Sequence, residues 1–572
     1  MWVRKVALHH GQPSRRQGAQ ALAVSTRRSR LWQVLAWVAI VAAFAALRAP
    51  FLSVPLERDE GEYAYIAQRA LHGEVPYRDA FDQKPPGIFV IYTAIFLTLG
   101  QSTQSIHAGM ALWTLASMIL LYRLVSRRGG PEAGLVAALA LSVMTIDPSF
   151  LGNAANTEIF MILPVIGGLL CLVPREGRPH TWRIVFAGAL GATACWIKPP
   201  AVTDVTFMAL WLLYLHLSEQ PRRPWKRLAA DAGLLVLGGL IVTVPVLLYF
   251  LAVGAWKPFV YCVFTYNAIY TTLDAPRLRL WPQLFWTHTV RPMVAPLWPF
   301  MILAVVGFFH LLRRARRDAV LFGGWLVFSF AGVCAGGHFR EHYFIQTLPA
   351  AASLVGLATA HIARRRAGRA DQKVRHAIAA GICVILVLSP VIAHRAEFFA
   401  SNPLLIAHDL YGANPFDSSP AIAREIREHT TPADKVLVIG SEPQILFYAN
   451  RRSATRYILF YPLAAPPHRG LQRELDATLR EIAAADPKYI VDVGRINTSF
   501  LFSPRTNRQF FNHLAEMIDK GGYRPIHFYE ATDPTVAGQT FTVVEGQKIL
   551  DEERQFHTYN LGVMLYRRPG TG

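Results

Sequence analysis

The chain has 572 residues, 52% of them hydrophobic, and a formal net charge of +20. That is too long for one ordinary domain and too apolar for a soluble multidomain protein, so the composition specifies a polytopic membrane protein. A nucleic-acid partner would also explain the basicity, but Arg127-Arg128, Arg222-Arg223, Arg313 to Arg317 and Arg364 to Arg366 all sit between apolar runs, as cytoplasmic loop charges do, so topology explains it better and no nucleic-acid partner is expected.

In chain order, a basic segment (1–30) precedes an apolar run beginning at Leu31, which we expect to be an uncleaved anchor with its basic flank in the cytoplasm. Apolar runs of about 17 to 25 residues follow, giving expected spans near 31–51, 106–123, 132–151, 158–174, 182–198, 200–217, 229–253, 294–312, 319–336, 344–362 and 375–395. The stretch from Gly87 to Leu99 is too short to span and is expected to lie at the interface. With that omission every basic cluster falls on the cytoplasmic side, and the Asp59 loop, Asn153 to Glu158, Lys198, the Trp256 to Arg291 loop and Gly337 to Tyr343 share the opposite one.

Hydropathy drops after His394. Val436 to Ile439, Tyr489 to Val493 and Val563 to Tyr566 read as strands, and Leu471 to Ala485 as a helix, so residues 397–572 are expected to form an extracytoplasmic α/β domain. The expected fold class is thus an α-helical polytopic membrane domain (31–396) with its active-site loop at 52–105, followed by that α/β domain. Cys171, Cys195, Cys262, Cys334 and Cys383 lie in or beside apolar segments, with neither disulfide nor metal-ligand spacing.

The chemistry concentrates in Glu57-Arg-Asp-Glu-Gly-Glu-Tyr-Ala-Tyr65 and Asp82-Gln-Lys-Pro-Pro-Gly87, which are polar segments wedged between apolar runs. A short helix from about Gly61 to Leu71 would put Asp59 and Glu60 at its N-terminus, either as a cap or as a base poised to deprotonate an acceptor. Lys84 and Lys198 are placed either to snorkel or to pair with a phosphate at headgroup depth. Glu158 opens a span, where it either caps the helix or faces a polar cavity. Arg340, His342 and Tyr343 bunch between two spans and suit a lipid phosphate.

These segments, with Gly73-Glu-Val-Pro-Tyr-Arg-Asp79 and His342-Tyr-Phe-Ile-Gln-Thr-Leu-Pro349, resemble the membrane glycosyltransferases of the protein mannosyltransferase and aminoarabinose transferase type, glycosyltransferase family 39. The resemblance covers roughly residues 31–395. It implies a GT-C fold and a polyprenyl-phosphate sugar donor. It also implies Asp59 as the catalytic carboxylate with Glu60 beside it, Lys84 as a ligand of the donor phosphate, and Glu158 as a second acidic residue. Tyr63, Asp82, Lys198, Arg340, His342 and Tyr343 complete the expected substrate-binding set. The expected reaction moves a sugar to a lipid, glycan or protein acceptor at the outer face of the cytoplasmic membrane. No cofactor is specified, and a divalent metal stays admissible. A lipid-linked sugar flippase is the rival from another class, and a polysaccharide polymerase or ligase shares the donor chemistry.

Overall fold

The computed structural model describes residues 15–218, 224–273, 278–367, 371–412, 414–464, 470–493, 508–532, 539–546 and 562–568. Met1–Ala46 forms one compact unit and Leu47–Gly572 a second. The first holds most of α1 (Arg15–Arg48).

The second includes near its start the helices α2 (Arg58–Ala70) and α3 (Gly87–Leu99), which lie in the segment read as the active-site loop. There follow α4 (Thr103–Gly129), α5 (Pro131–Met144), α6 (Thr157–Leu172), α7 (Thr181–Ile197), α8 (Val202–Leu217) and α9 (Trp225–Ala252). Among its described residues, the region read as a loop after α9 holds three short helices, α10 (Trp256–Val260), α11 (Asn267–Leu273) and α12 (Trp281–Phe285), and two π-helical turns. Then come α13 (Arg291–Arg314), α14 (Arg316–Cys334), α15 (Leu348–Ala367) and α16 (Gln372–Ala393).

Every run expected to span is helical. Among the described residues eight segments are long and apolar enough to cross a membrane, while α5, α6 and α7 are apolar helices of 14, 16 and 17 residues. Large apolar side chains such as Leu112, Leu248, Val305 and Ile392 stay exposed, as lipid-facing positions are. Helix α3 has 13 residues. At ~1.5 Å per residue that is well short of a ~30 Å hydrocarbon core.

Beyond α16 lie α17 (Arg395–Phe399), α18 (Pro403–Tyr411), α19 (Ser419–Glu428), α20 (Gln444–Ala449), α21 (Leu471–Ala485) and α22 (Arg508–Lys520). The strands β1 (Lys435–Ile439), β2 (Arg452–Ser453), β3 (Tyr489–Asp492), β4 (Arg524–Ala531), β5 (Phe541–Glu545) and β6 (Gly562–Arg567) form one sheet in the order β2-β1-β3-β6-β4-β5. β1 pairs in parallel with β2 and β3, and the remaining pairs are antiparallel. β1 and β3 are almost wholly buried, as central strands covered on both faces must be.

Between the membrane helices and this domain sits α2, with every residue from Glu60 to Arg69 buried. Of the charged residues in that stretch, Glu60 pairs with His107, Arg69 donates to Gln68 and Asn450, and Glu62 lies beside Asp82.

Candidate active site

The cap of α2 is Glu57. Its carboxylate accepts from the backbone N–H of Asp59 (3.0 Å) and of Glu60 (3.4 Å), and Glu60 Oε2 accepts in return from the Glu57 N–H at 3.2 Å, a complete capping box. Glu60 Oε1 turns the other way, accepting from Ala155 N–H at 2.6 Å and pairing with His107 Nε2 at 3.0 Å. Glu60 thereby ties the start of α2 to α4 and to the segment before α6.

With capping assigned to these two glutamates, the Asp59 side chain is free to face the segment before α3. Lys84 Nζ donates to Asp59 Oδ2 at 3.1 Å and to the Tyr63 hydroxyl at 2.9 Å, and Tyr63, one turn on from Asp59, donates to the same carboxylate oxygen at 3.4 Å. Burial by itself would raise the Asp59 carboxyl, but the Lys84 ammonium and then His342 hold it far below the usual carboxylate range. Burial likewise opposes the charge on Lys84, and Asp59 and Tyr63 outweigh it, holding the ammonium well above its ordinary value.

The turn that presents Lys84 is braced at three points. Tyr77 donates to the Lys84 carbonyl at 2.8 Å, Asp82 Oδ1 accepts from the Lys84 N–H at 2.7 Å, and the two prolines fix the backbone beyond. Asp82 is fully buried beside Glu62, which is 1% exposed. Burial pushes Asp82 up to about 7 and, with the neighbouring Asp82 charge, pushes Glu62 well above its usual value. Such a pair holds a proton at neutral pH.

Glycine at 87 brings a second cluster close. A Cβ there would lie 2.6 Å from the Trp196 carbonyl, so only glycine lets the start of α3 touch the end of α7, two residues before Lys198. Lys198 is extended (φ −148°, ψ 123°), as a residue before proline should be. Its ammonium pairs with Glu158, in the first turn of α6, and lies 4.1 Å over the Tyr343 ring. His342 Nε2 is 3.7 Å from the same Glu158 oxygen. Lys84 and Asp59 are among the charges Lys198 feels most strongly, so the clusters lie within electrostatic reach of one another.

The geometry thus brings Asp59, Tyr63 and Lys84 together, with Asp82 beneath, and Glu158, Lys198, His342 and Tyr343 together beside them. Glu60 is engaged elsewhere. Arg340 is exposed and, among the described residues, makes no ion pair with either cluster. Two partners escaped sequence reasoning: Glu57, whose side chain does the capping, and His107, which sits inside an apolar run. Among the described residues no group of three or more His, Cys, Asp or Glu is arranged to hold a metal ion.

Residues 83–249 match the family model described as dolichyl-phosphate-mannose-protein mannosyltransferase. The crystal structure of ArnT from Cupriavidus metallidurans bound to undecaprenyl phosphate is similar at a TM-score of 0.57 and 16% identity, over 81% of this chain and 93% of that one. The apo form of ArnT gives 0.56 and 14%, over 94% and 98%. The archaeal oligosaccharyltransferase AglB from Archaeoglobus fulgidus, in complex with an inhibitory peptide and a dolichol-phosphate, gives 0.53 and 13%, over 91% and 75%. No curated protein matches the chain by sequence. By its fold, and by a family match that takes in Lys84, Glu158 and Lys198, the chain is a GT-C-type membrane protein that resembles the protein mannosyltransferases.

Proposed function

We propose that the chain is an inverting glycosyltransferase that takes a sugar from a polyprenyl-phosphate carrier and passes it to an acceptor hydroxyl or amine at the outer face of the cytoplasmic membrane. The observation that carries this reading is Lys84, a half-buried cation set between a carboxylate and a tyrosine hydroxyl just before α3. An anionic leaving group needs that cation, and acceptor activation needs that carboxylate. The bound undecaprenyl phosphate of ArnT and dolichol-phosphate of AglB support a carrier of the same chemical class.

In the step proposed, the acceptor heteroatom attacks the anomeric carbon, its proton passes to Asp59, and the bond from that carbon to the phosphate oxygen breaks. The carrier leaves as a polyprenyl monophosphate, its gained charge neutralised by Lys84, with Lys198 and His342 alongside. Glu158 fixes Lys198 and His342, and Tyr63 aligns both Asp59 and Lys84. One displacement inverts the anomeric centre. Assay of the purified chain with polyprenyl-phosphate sugars, following release of the polyprenyl phosphate, tests the reading; absence of release with every donor and acceptor class would refute it.

A further inference from the structure

The glycine of Asp59-Glu-Gly-Glu has no part in the chemistry above. A Cβ on Gly61 would lie 2.5 Å from Gln444 Cβ and 2.6 Å from the Gln444 backbone nitrogen, so helix α2 rests directly on the start of α20 in the C-terminal domain. Arg58, next to Asp59, reaches into the same place. Its Nε donates to the Ser441 carbonyl at 2.7 Å, its Nη2 pairs with Glu442 Oε1 at 3.0 Å, and its guanidinium lies 5.7 Å over the Phe416 ring. Glu442 is fully buried, and its second oxygen accepts from Gln444 Nε2 at 2.8 Å. Farther along, the Tyr448 hydroxyl accepts from the Leu56 N–H at 2.7 Å, and the Tyr65 hydroxyl from the Ser453 N–H at 2.8 Å.

The loop from Ser441 to Pro443 follows the carboxyl end of β1, a strand with parallel neighbours on both sides. In open α/β sheets that position ordinarily receives a ligand. Here it receives the helix that carries Asp59.

We infer that Glu442 is a positioning residue for the transfer reaction: through Arg58 it fixes the rotation of α2, and with it the aim of the Asp59 carboxylate. The inference rests on the transferase reading of the Asp59 site. Arg58 flanks Asp59, and Gly61 leaves α2 no side chain on which to ride up, so loss of the ion pair turns the first turn of the helix. Lys84 is held by its own segment, through Tyr77, Asp82 and Gly87, and keeps its place.

The test uses the full chain in nanodiscs, comparing Glu442→Gln with the exchanged pair Arg58→Glu/Glu442→Arg. Three readouts are taken: amide hydrogen exchange, binding of undecaprenyl phosphate, and turnover with a polyprenyl-phosphate sugar. For Glu442→Gln, exchange should rise about tenfold over residues 58–70 and 441–449 while the membrane helices stay protected. Undecaprenyl phosphate affinity should stay within about threefold, and turnover should fall about 30- to 100-fold, the scale expected of a misplacement near 1 Å. The exchanged pair should recover most of the turnover. Unchanged exchange in α2, a rise spread over the whole chain, or turnover lost only in step with carrier affinity would each overturn the inference. If the wild-type chain transfers no sugar, the transferase reading falls, whereas the exchange pattern still decides whether Glu442 holds α2.

Discussion

Lys84 Nζ stands 3.1 Å from Asp59 Oδ2, across 25 residues of chain, and the ammonium is shared with the Tyr63 hydroxyl. A carboxylate held this way is a poor proton acceptor, because the cation stabilises its charged form. On the proposed reading, a phosphate entering beside Lys84 would compete for that ammonium and return basicity to Asp59, so that donor binding would prepare the base.

Lys84→Ala should weaken the donor and shift the pH profile together. Loss of a charge-assisted hydrogen bond of ~1.5–3 kcal/mol raises the donor Kd by about 10- to 100-fold. Burial then acts on Asp59 without its main counterweight, so its pKa rises and the acid limb of kcat/KM moves to higher pH. Carrier binding and a pH–rate profile of the variant measure both effects.

The Glu62–Asp82 pair makes stability fall with rising pH. Both folded-state pKa values lie above those of the unfolded chain, so the stability they contribute is complete below the unfolded carboxyl range near pH 4 and is lost up to about 7, where Asp82 titrates. Glu62→Gln keeps a hydrogen-bonding group and removes the like charge. Thermal unfolding between pH 4 and 8 should show a flatter decline than in the wild type.

Glu158 and Lys198 form a buried pair, with side chains 1% and 12% exposed. Removing one partner of such a pair costs ~3–5 kcal/mol, since it strands the other charge. Glu158→Ala should therefore lower the unfolding temperature, and Glu158→Ala/Lys198→Met should recover much of the stability without recovering transfer. Equal stability of the single and double variants would show that Lys198 has another partner.

The membrane domain was largely legible in the sequence, because apolar length alone identifies helices in lipid. Each expected span is a helix, and α21 runs from Leu471 to Ala485 as its amphipathic period specifies. The short helices between Trp256 and Phe285 were read as loop because none has the length to show a period. β4 and β5 escaped notice because their strands are half exposed and mix apolar with charged residues, whereas β1, β3 and β6 are continuous apolar runs. At the site, residue type pointed to Asp59 and Lys84. Sequence does not say which of several adjacent carboxylates turns toward a lysine; that choice depends on Glu57 and Glu60 being occupied by the helix cap, and on His107 and Ala155 drawing Glu60 away. The hold of the C-terminal domain on α2 was invisible for a different reason, since Arg58 and Glu442 are 384 residues apart.

Topology makes a separate prediction. With the basic loops inside, residues 397–572 lie outside the cytoplasm. In spheroplasts, a membrane-impermeant maleimide should label Lys520→Cys above the native-cysteine background, while Arg366→Cys should react only after lysis; both positions are exposed. The reverse pattern would invert the whole arrangement.

The most direct test of the account is turnover by Asp59→Asn with a polyprenyl-phosphate sugar, measured beside carrier binding and thermal stability. Glu57, not Asp59, caps α2, so the variant keeps its helix cap and should fold, with a modest loss of stability from the missing Lys84 ion pair. It should bind undecaprenyl phosphate at least as well as the wild type, because Lys84 loses a competing anion. Turnover should fall about 10²- to 10⁴-fold, the contribution of a general base. Turnover within a few-fold of the wild type, with folding intact, would contradict the account.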